Sequence, residues 1–221
     1  MNHDGIAIRP DLADARAATV ADWAQPGTWW NAAERLAIIG EVRAALDADV
    51  QPPPWAKPSE TRGGGPLPDP AIDAVWRLTN HPGTLTGQWC EGIVTELGDP
   101  FRYVELVGLV AQANTIDRFA DALELARPAL SDPAPGEPTR VAPDGAAQHG
   151  HWVPTVDTRT AEVLKALSAV PAEHSAIMRL NDVHYMPAAA MSDLAGGRNT
   201  LDRLQIELIA ARTSSLNECF Y

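Results

Sequence analysis

The chain has 221 residues, of which 45% are hydrophobic and 21% charged, so it can bury the core of one large domain or two small ones. Its formal net charge of -12 argues against nucleic acid and an anionic membrane as partners, because both favour basic surfaces. No apolar run is long enough to span a membrane, and no secretory signal is apparent. Two cysteines are too few for a disulfide scaffold, so we expect a reducing, cytoplasmic location.

Abundant alanine, short β-branched runs and clustered prolines indicate an all-α protein, a helical bundle. The pattern predicts helices, in chain order, at 11–23, 31–47, 71–79, 82–97, 100–125, 160–170, 172–185 and 202–219. Two Pro/Gly-rich stretches separate them and suggest a division of the chain. The predicted parts are an N-terminal helical segment (1–50), a linker (51–68), a first helical unit (69–130), a second linker (131–159) and a second helical unit (160–221).

The two predicted units contain an internal repeat. Residues 102–119 (RYVELVGLVAQANTIDRF) align without gaps on residues 204–221 (LQIELIAARTSSLNECFY), so that Glu105 falls on Glu207 and Asp117 on Cys219. A carboxylate buried in an apolar helix costs several kcal/mol unless it is paired, so the shared glutamate favours a common origin. We interpret the second unit as the one that carries chemistry and the first as its degenerate copy.

Glu207 lies on an apolar helix twelve residues before Cys219, which Phe220 and Tyr221 follow. A buried acid behind a thiol indicates redox or proton-transfer chemistry, because such chemistry needs a thiolate and a group that exchanges protons with it. The sequence therefore predicts a buried Glu207 that serves Cys219.

Residues 206–221 (IELIAARTSSLNECFY) resemble the carboxymuconolactone decarboxylase and alkylhydroperoxidase D superfamily. The signature of that family is Glu, about twelve residues, Cys-x-x-Cys, and a His four residues after the second Cys. The resemblance implies that Cys219 is the first cysteine of a redox pair, that Glu207 is a proton-relay acid, and that Tyr221 precedes the second cysteine. It further implies thiol-dependent reduction of a hydroperoxide, a partner thiol protein as reductant, no metal or organic cofactor, and a homo-oligomer.

The second cysteine and the histidine of the signature would follow Tyr221. Three explanations stay open: the natural sequence continues, a separate chain supplies the missing motif, or the protein is a catalytically weakened relative. Cys219 alone allows oxidation to a sulfenic acid, whereas its resolution requires Cys90 or an external thiol.

Simpler interpretations stand beside these. His184 could supply an imidazole, although a surface or interface histidine is commoner, and Glu105 could be a structural relic in a buried hydrogen-bond network. Glu207 could pair with Arg203 or Arg212.

Cys90 is interpreted as a core residue, and His149 and His151 form only a weak metal signal. Two rival functions remain, a lactone decarboxylase that uses acid-base residues and a non-catalytic helical interaction protein.

Overall fold

The computed structural model describes residues 7–157, 162–191, 193, 195–198 and 200–217. This part of the chain is mostly helical, which confirms the all-α prediction. A pair of two-residue strands forms a small antiparallel hairpin inside the predicted second linker. The elements are α1 (Pro10–Trp23), α2 (Ala32–Leu46), α3 (Ser59–Arg62), α4 (Asp69–Asn80), α5 (Gly87–Leu97), α6 (Pro100–Ala122), β1 (Ala146–Ala147), β2 (Thr155–Val156), α7 (Glu162–Lys165), α8 (Pro171–His184) and α9 (Arg203–Leu216).

Local capping chemistry determines where the two helices at the centre of the molecule begin. Asn31 caps α2 in a capping box with Glu34, so that two backbone N–H groups of the first turn have acceptors. Asp99 caps α6 by accepting from the N–H groups of Phe101 and Arg102, and Pro100 occupies the first turn, where its missing N–H costs nothing.

Helix α6 is the centre of the bundle. It packs against α2, α4, α5 and α8, and α8 also packs against α1. One apolar cluster therefore joins the N-terminal segment to both predicted units, and Leu180 of α8 belongs to it. Large side chains that are fully buried at its centre are Trp23, Trp30, Ile38, Ile39, Leu106, Leu109 and Ile116.

Two predicted helices differ from those observed. The helix predicted from Pro82 is instead a short 3-10 turn, and α5 begins only at Gly87, because Thr86 caps it by accepting from the Trp89 N–H. Among the described residues of the helix predicted over 160–170, namely 162–170, only Glu162–Lys165 (α7) is helical, and the backbone adopts a positive φ of 64° at Leu167. The predicted linker over 51–68 also contains a short helix, α3.

Helix α9 lies at the edge of the bundle and is covered on one side only. Among its described residues it buries Arg203 and Ile206, while Leu204, Leu208, Ile209 and Leu216 are exposed. In the part of the chain that the structure describes, no helix is both long enough and apolar enough to cross a membrane.

The contact between α6 and α8 depends on Gly108. A Cβ atom there would lie 2.7 Å from Cβ of Glu173, so Gly108→Ala forces the helices apart. We expect a loss of stability on the order of 1–2 kcal/mol, measured by urea unfolding. The matched control is Gly40→Ala in α2, where an added Cβ meets nothing within 4 Å and helix propensity alone predicts a small gain. Equal unfolding midpoints for the two variants would contradict the close approach.

Candidate functional site

The predicted site residues lie in two separate places. Glu105 is in the core, whereas Glu207 and His184 are near the edge of the bundle, beside α9. Cys219 and Tyr221 lie outside the described residues, so their surroundings do not enter the geometry below.

Glu105 belongs to a buried cluster of charged residues. The Arg35 guanidinium of α2 contacts two carboxylates through one nitrogen, Nη1, at 2.5 Å from Glu105 Oε1 and 2.7 Å from Glu173 Oε1. The other Glu105 oxygen accepts from the Trp29 N–H at 2.6 Å. All three charged side chains are at least 95% buried, so the cluster is sealed from solvent.

A second hydrogen-bonded chain completes the cluster. Gln112 of α6 donates from Nε2 to Glu173 Oε2, and the Trp23 indole donates to Gln112 Oε1 at 3.1 Å. Both oxygens of Glu173 therefore have donors, as buried carboxylates require. The network joins α1, α2, α6 and α8.

Gly27, in the loop between α1 and α2, lets the backbone lie directly on this cluster. A Cβ atom at Gly27 would lie 1.9 Å from Glu105 Oε1 and 2.4 Å from Arg35 Nη1. No other residue fits there without moving the ion pair, since real Cβ atoms do not approach other atoms so closely.

The cluster holds two carboxylates and one cation, and this imbalance affects Glu105. Burial and the charge of Glu173 raise the pKa of Glu105 to about 7, although Arg35 opposes the change. Near neutral pH the cluster therefore gains or loses one proton, and in the protonated state one Arg35 charge faces one carboxylate charge.

Asp117, the residue that aligns with Cys219, is also fully buried and paired. Arg43 of α2 contacts both of its oxygens, at 2.8 Å from Nε and 3.1 Å from Nη2. This bidentate arrangement is a strong geometry for an ion pair. The first copy of the repeat thus carries structural ion pairs at both aligned positions.

Glu207 has a different environment, and the prediction that it is buried is wrong. About 45% of its side chain is exposed, because α9 is covered on one side only. The Tyr185 hydroxyl donates to Glu207 Oε1 at 3.0 Å, and Arg203 Nε lies 2.7 Å from the same oxygen. The Arg203 N–H is not aligned on that oxygen, so this contact is an ion pair without a hydrogen bond.

The phenol beside Glu207 stays protonated at neutral pH. Burial and the hydrogen bond to Glu207 raise the pKa of Tyr185 above its usual value. Tyr185 is therefore a stable hydrogen-bond donor to the carboxylate, and one face of Glu207 remains open to solvent.

Tyr185 and His184 line a groove between the end of α8 and α9, which we call the α8–α9 groove. Its volume is about 650 Å³, and Ile206, Ile209 and Ala210 of α9 also line it. Burial, followed by the positive charges of Arg16 and Arg9, lowers the pKa of His184 to about 4, so the imidazole is neutral at pH 7. His184 also packs its ring edge-to-face on Phe119, at 5.2 Å between ring centres.

Cys90 is a core residue, as expected. It is 2% exposed on α5, and burial raises the pKa of its thiol above the usual value, although Tyr103 opposes this change. Cys90 is thus poorly suited to resolve an oxidised Cys219, because the thiolate is the reactive form.

Within the described residues there is no group of three or more His, Cys, Asp or Glu side chains that could hold a metal ion. His151 contacts Glu162 at 3.0 Å, but no third such residue joins them in this part of the chain.

Several residues of both sites escaped the sequence analysis. Arg35 lies 70 residues from Glu105, and Glu173 lies 138 residues from Arg35, so no local spacing connects them. Tyr185 lies 22 residues from Glu207, so local spacing does not connect this pair either. Arg203 was considered as a partner of Glu207, and the structure shows that pair.

Comparison of the chain with family models, with curated proteins and with solved structures finds no match. The resemblance of residues 206–221 to the alkylhydroperoxidase D superfamily therefore stays an expectation.

The raised pKa of Glu105 makes stability depend on pH. Because the folded state binds this proton more tightly than the unfolded chain, with a pKa of about 7 against 4.5, Glu105 stabilises the fold as pH falls from 7 to 4.5. His184 acts in the opposite direction, since its lowered pKa costs stability below pH 6.5. We expect the stability advantage of wild type over Glu105→Gln to be about 2–3 kcal/mol larger at pH 5 than at pH 8.

Urea unfolding of wild type and Glu105→Gln at pH 5 and pH 8 measures this difference in stability. The contribution of His184 cancels, because both proteins contain this residue. Glu91→Gln, an exposed carboxylate on α5, is the control and should show no such change. A difference between wild type and Glu105→Gln that does not vary with pH would contradict the shifted pKa.

Proposed function

We propose that the chain is a thiol-dependent hydroperoxide reductase of the alkylhydroperoxidase type, in which Cys219 is the redox thiol and Glu207 the proton-relay acid. The observation that carries this proposal is the contrast between the two aligned glutamates. Glu105 is sealed by Arg35 and the Trp29 N–H, whereas Glu207 is half-exposed and hydrogen-bonded to the Tyr185 phenol.

A relay acid must reach both a proton source and the reacting group. Glu207 meets the first requirement through solvent, and the hydrogen bond from Tyr185 orients its carboxylate. Glu105 meets neither, because its oxygens are occupied by donors inside the core. This difference supports the assignment of chemistry to the second unit and of a structural role to the first.

In the proposed step the Cys219 thiolate attacks the terminal oxygen of the hydroperoxide and the O–O bond breaks. The sulfur is oxidised to a sulfenic acid, and the peroxide is reduced to an alcohol, whose oxygen takes a proton delivered by Glu207. A dithiol protein then reduces the sulfenic acid to the thiol, with release of water and formation of its own disulfide.

The exposed apolar residues of α9 favour a second candidate, a non-catalytic helical interaction protein. Leu204, Leu208 and Leu216 are each more than 60% exposed on this one helix. A cluster of apolar side chains on a surface is typical of contact with another protein. The acid-base lactone decarboxylase remains a third candidate, in which the Tyr185–Glu207 pair would act without the thiol.

Thiol reactivity tests the proposal. We expect Cys219 to react with iodoacetamide at pH 7 faster than free cysteine, and to form a dimedone-trapped sulfenic acid when cumene hydroperoxide is added. Mass spectrometry of the peptides assigns each product to its cysteine. Cys90 is the internal control, since its buried thiol should remain unmodified in the folded protein.

Variants on α9 separate the role of Glu207 from that of the thiol. Glu207→Gln should slow sulfenic acid formation about 10²-fold, because general acid-base catalysis typically contributes that much. Arg212→Gln, an exposed charge change on the same helix, should leave the rate unaltered. A Cys219 that reacts no faster than free cysteine would reject the peroxidase and leave the other two candidates.

A further inference from the structure

The α8–α9 groove has a positively charged end. Arg9 and Arg198 both line it, and the only carboxylate that the described residues place against this pair is that of Asp11, at 3.0 Å from Arg9 Nε and 3.6 Å from Arg198 Nη2. Two guanidinium groups thus share one half-exposed carboxylate, in a protein whose formal net charge is -12.

Both arginines are held in place by the end of α8. Arg9 donates to the Val183 carbonyl at 2.7 Å, and Arg198 donates to the carbonyls of Asp182 and Tyr185. These bonds anchor the two side chains at a helix C-terminus, where cations are favoured. The cations are therefore positioned before any ligand binds, which lowers the entropic cost of binding.

His184 adds an unused polar atom to the same groove. Its ring nitrogen Nε2 is buried and has no hydrogen-bond partner among the described residues. A buried polar group without a partner is uncommon in folded proteins, and it calls for an explanation such as a ligand or a water molecule.

The rest of the groove is apolar. Ile206 forms a buried wall, and Ile209, Ala210 and Leu201 extend it toward solvent. The volume of about 650 Å³ is within the range of small-molecule sites, which combine apolar walls with a few polar groups.

We propose that the α8–α9 groove binds a medium-chain aliphatic carboxylate, with the ligand's carboxylate at the groove end lined by Arg9 and Arg198, beside Asp11, and the chain along Ile206, Ile209 and Ala210. Charge complementarity selects the anion, because the arginines outnumber the carboxylate beside them. The apolar wall selects the alkyl chain. This binding site does not require the proposed peroxidase chemistry, so either can fail alone.

Isothermal titration of the full chain with decanoate tests the proposal. We expect one decanoate per chain, and at least tenfold weaker binding of decanol, which has the same chain without the charge. Decyltrimethylammonium should bind more weakly still. Arg9→Gln should weaken decanoate binding about tenfold, since it removes one charge and keeps a polar side chain.

A pair of matched variants locates the site. Ala210→Trp fills the groove and should abolish decanoate binding, whereas Leu208→Trp adds a tryptophan to the same helix outside the groove and should leave binding unchanged. Equal binding by the two variants would overturn the assignment, and so would equal affinity for decanoate and decanol. The remaining alternative is that the groove is a contact between two copies of the chain, which sedimentation velocity tests. If the chain forms a dimer that Ala210→Trp dissociates, and if decanoate leaves that dimer intact, the groove is such a contact and the ligand proposal is rejected.

Discussion

One guanidinium nitrogen, Nη1 of Arg35, contacts a carboxylate from α6 and a carboxylate from α8, and the packing of the bundle depends on these contacts. Removing one partner of a buried ion pair typically costs about 3–5 kcal/mol, because the remaining charge has no solvent. The shared nitrogen therefore fixes the positions of α2, α6 and α8 relative to one another. Two glycines make the arrangement possible, Gly27 over the ion pair and Gly108 beneath Glu173, since a Cβ atom at either position would displace a charged side chain.

The repeat gives the same residue type two opposite roles. Glu105 is enclosed on the central helix, where burial and the charge of Glu173 raise its pKa to about 7. Glu207 is on a helix at the edge of the bundle, where a phenol donates to it and solvent reaches it. Glu105 has all its donors inside the core, whereas Glu207 is accessible from solvent, and this difference supports the proposed assignment of a structural role to the first unit and of chemistry to the second.

The end of α8 links the two proposals for α9. Tyr185 donates to Glu207 and lines the α8–α9 groove, and its backbone carbonyl accepts from Arg198. A ligand in the groove would therefore lie beside the carboxylate that we propose as the relay acid. Two arginines beside one carboxylate give this end of the groove a local excess of positive charge in a chain whose formal net charge is -12.

Local chemistry in the sequence was sufficient to predict the all-α fold and most of the helices. The helix predicted over 31–47 is observed as Ala32–Leu46, because a capping box and apolar spacing act within a few residues. The helix predicted over 82–97 is observed as Gly87–Leu97, and only its predicted start at Pro82 was wrong, because Thr86 caps the helix later in the chain. Only the tertiary structure decided which glutamate is buried, because burial depends on which helices surround each carboxylate. Arg35 meets Glu105 across 70 residues of sequence and Glu173 across 138 residues, and local chemistry does not act over such separations.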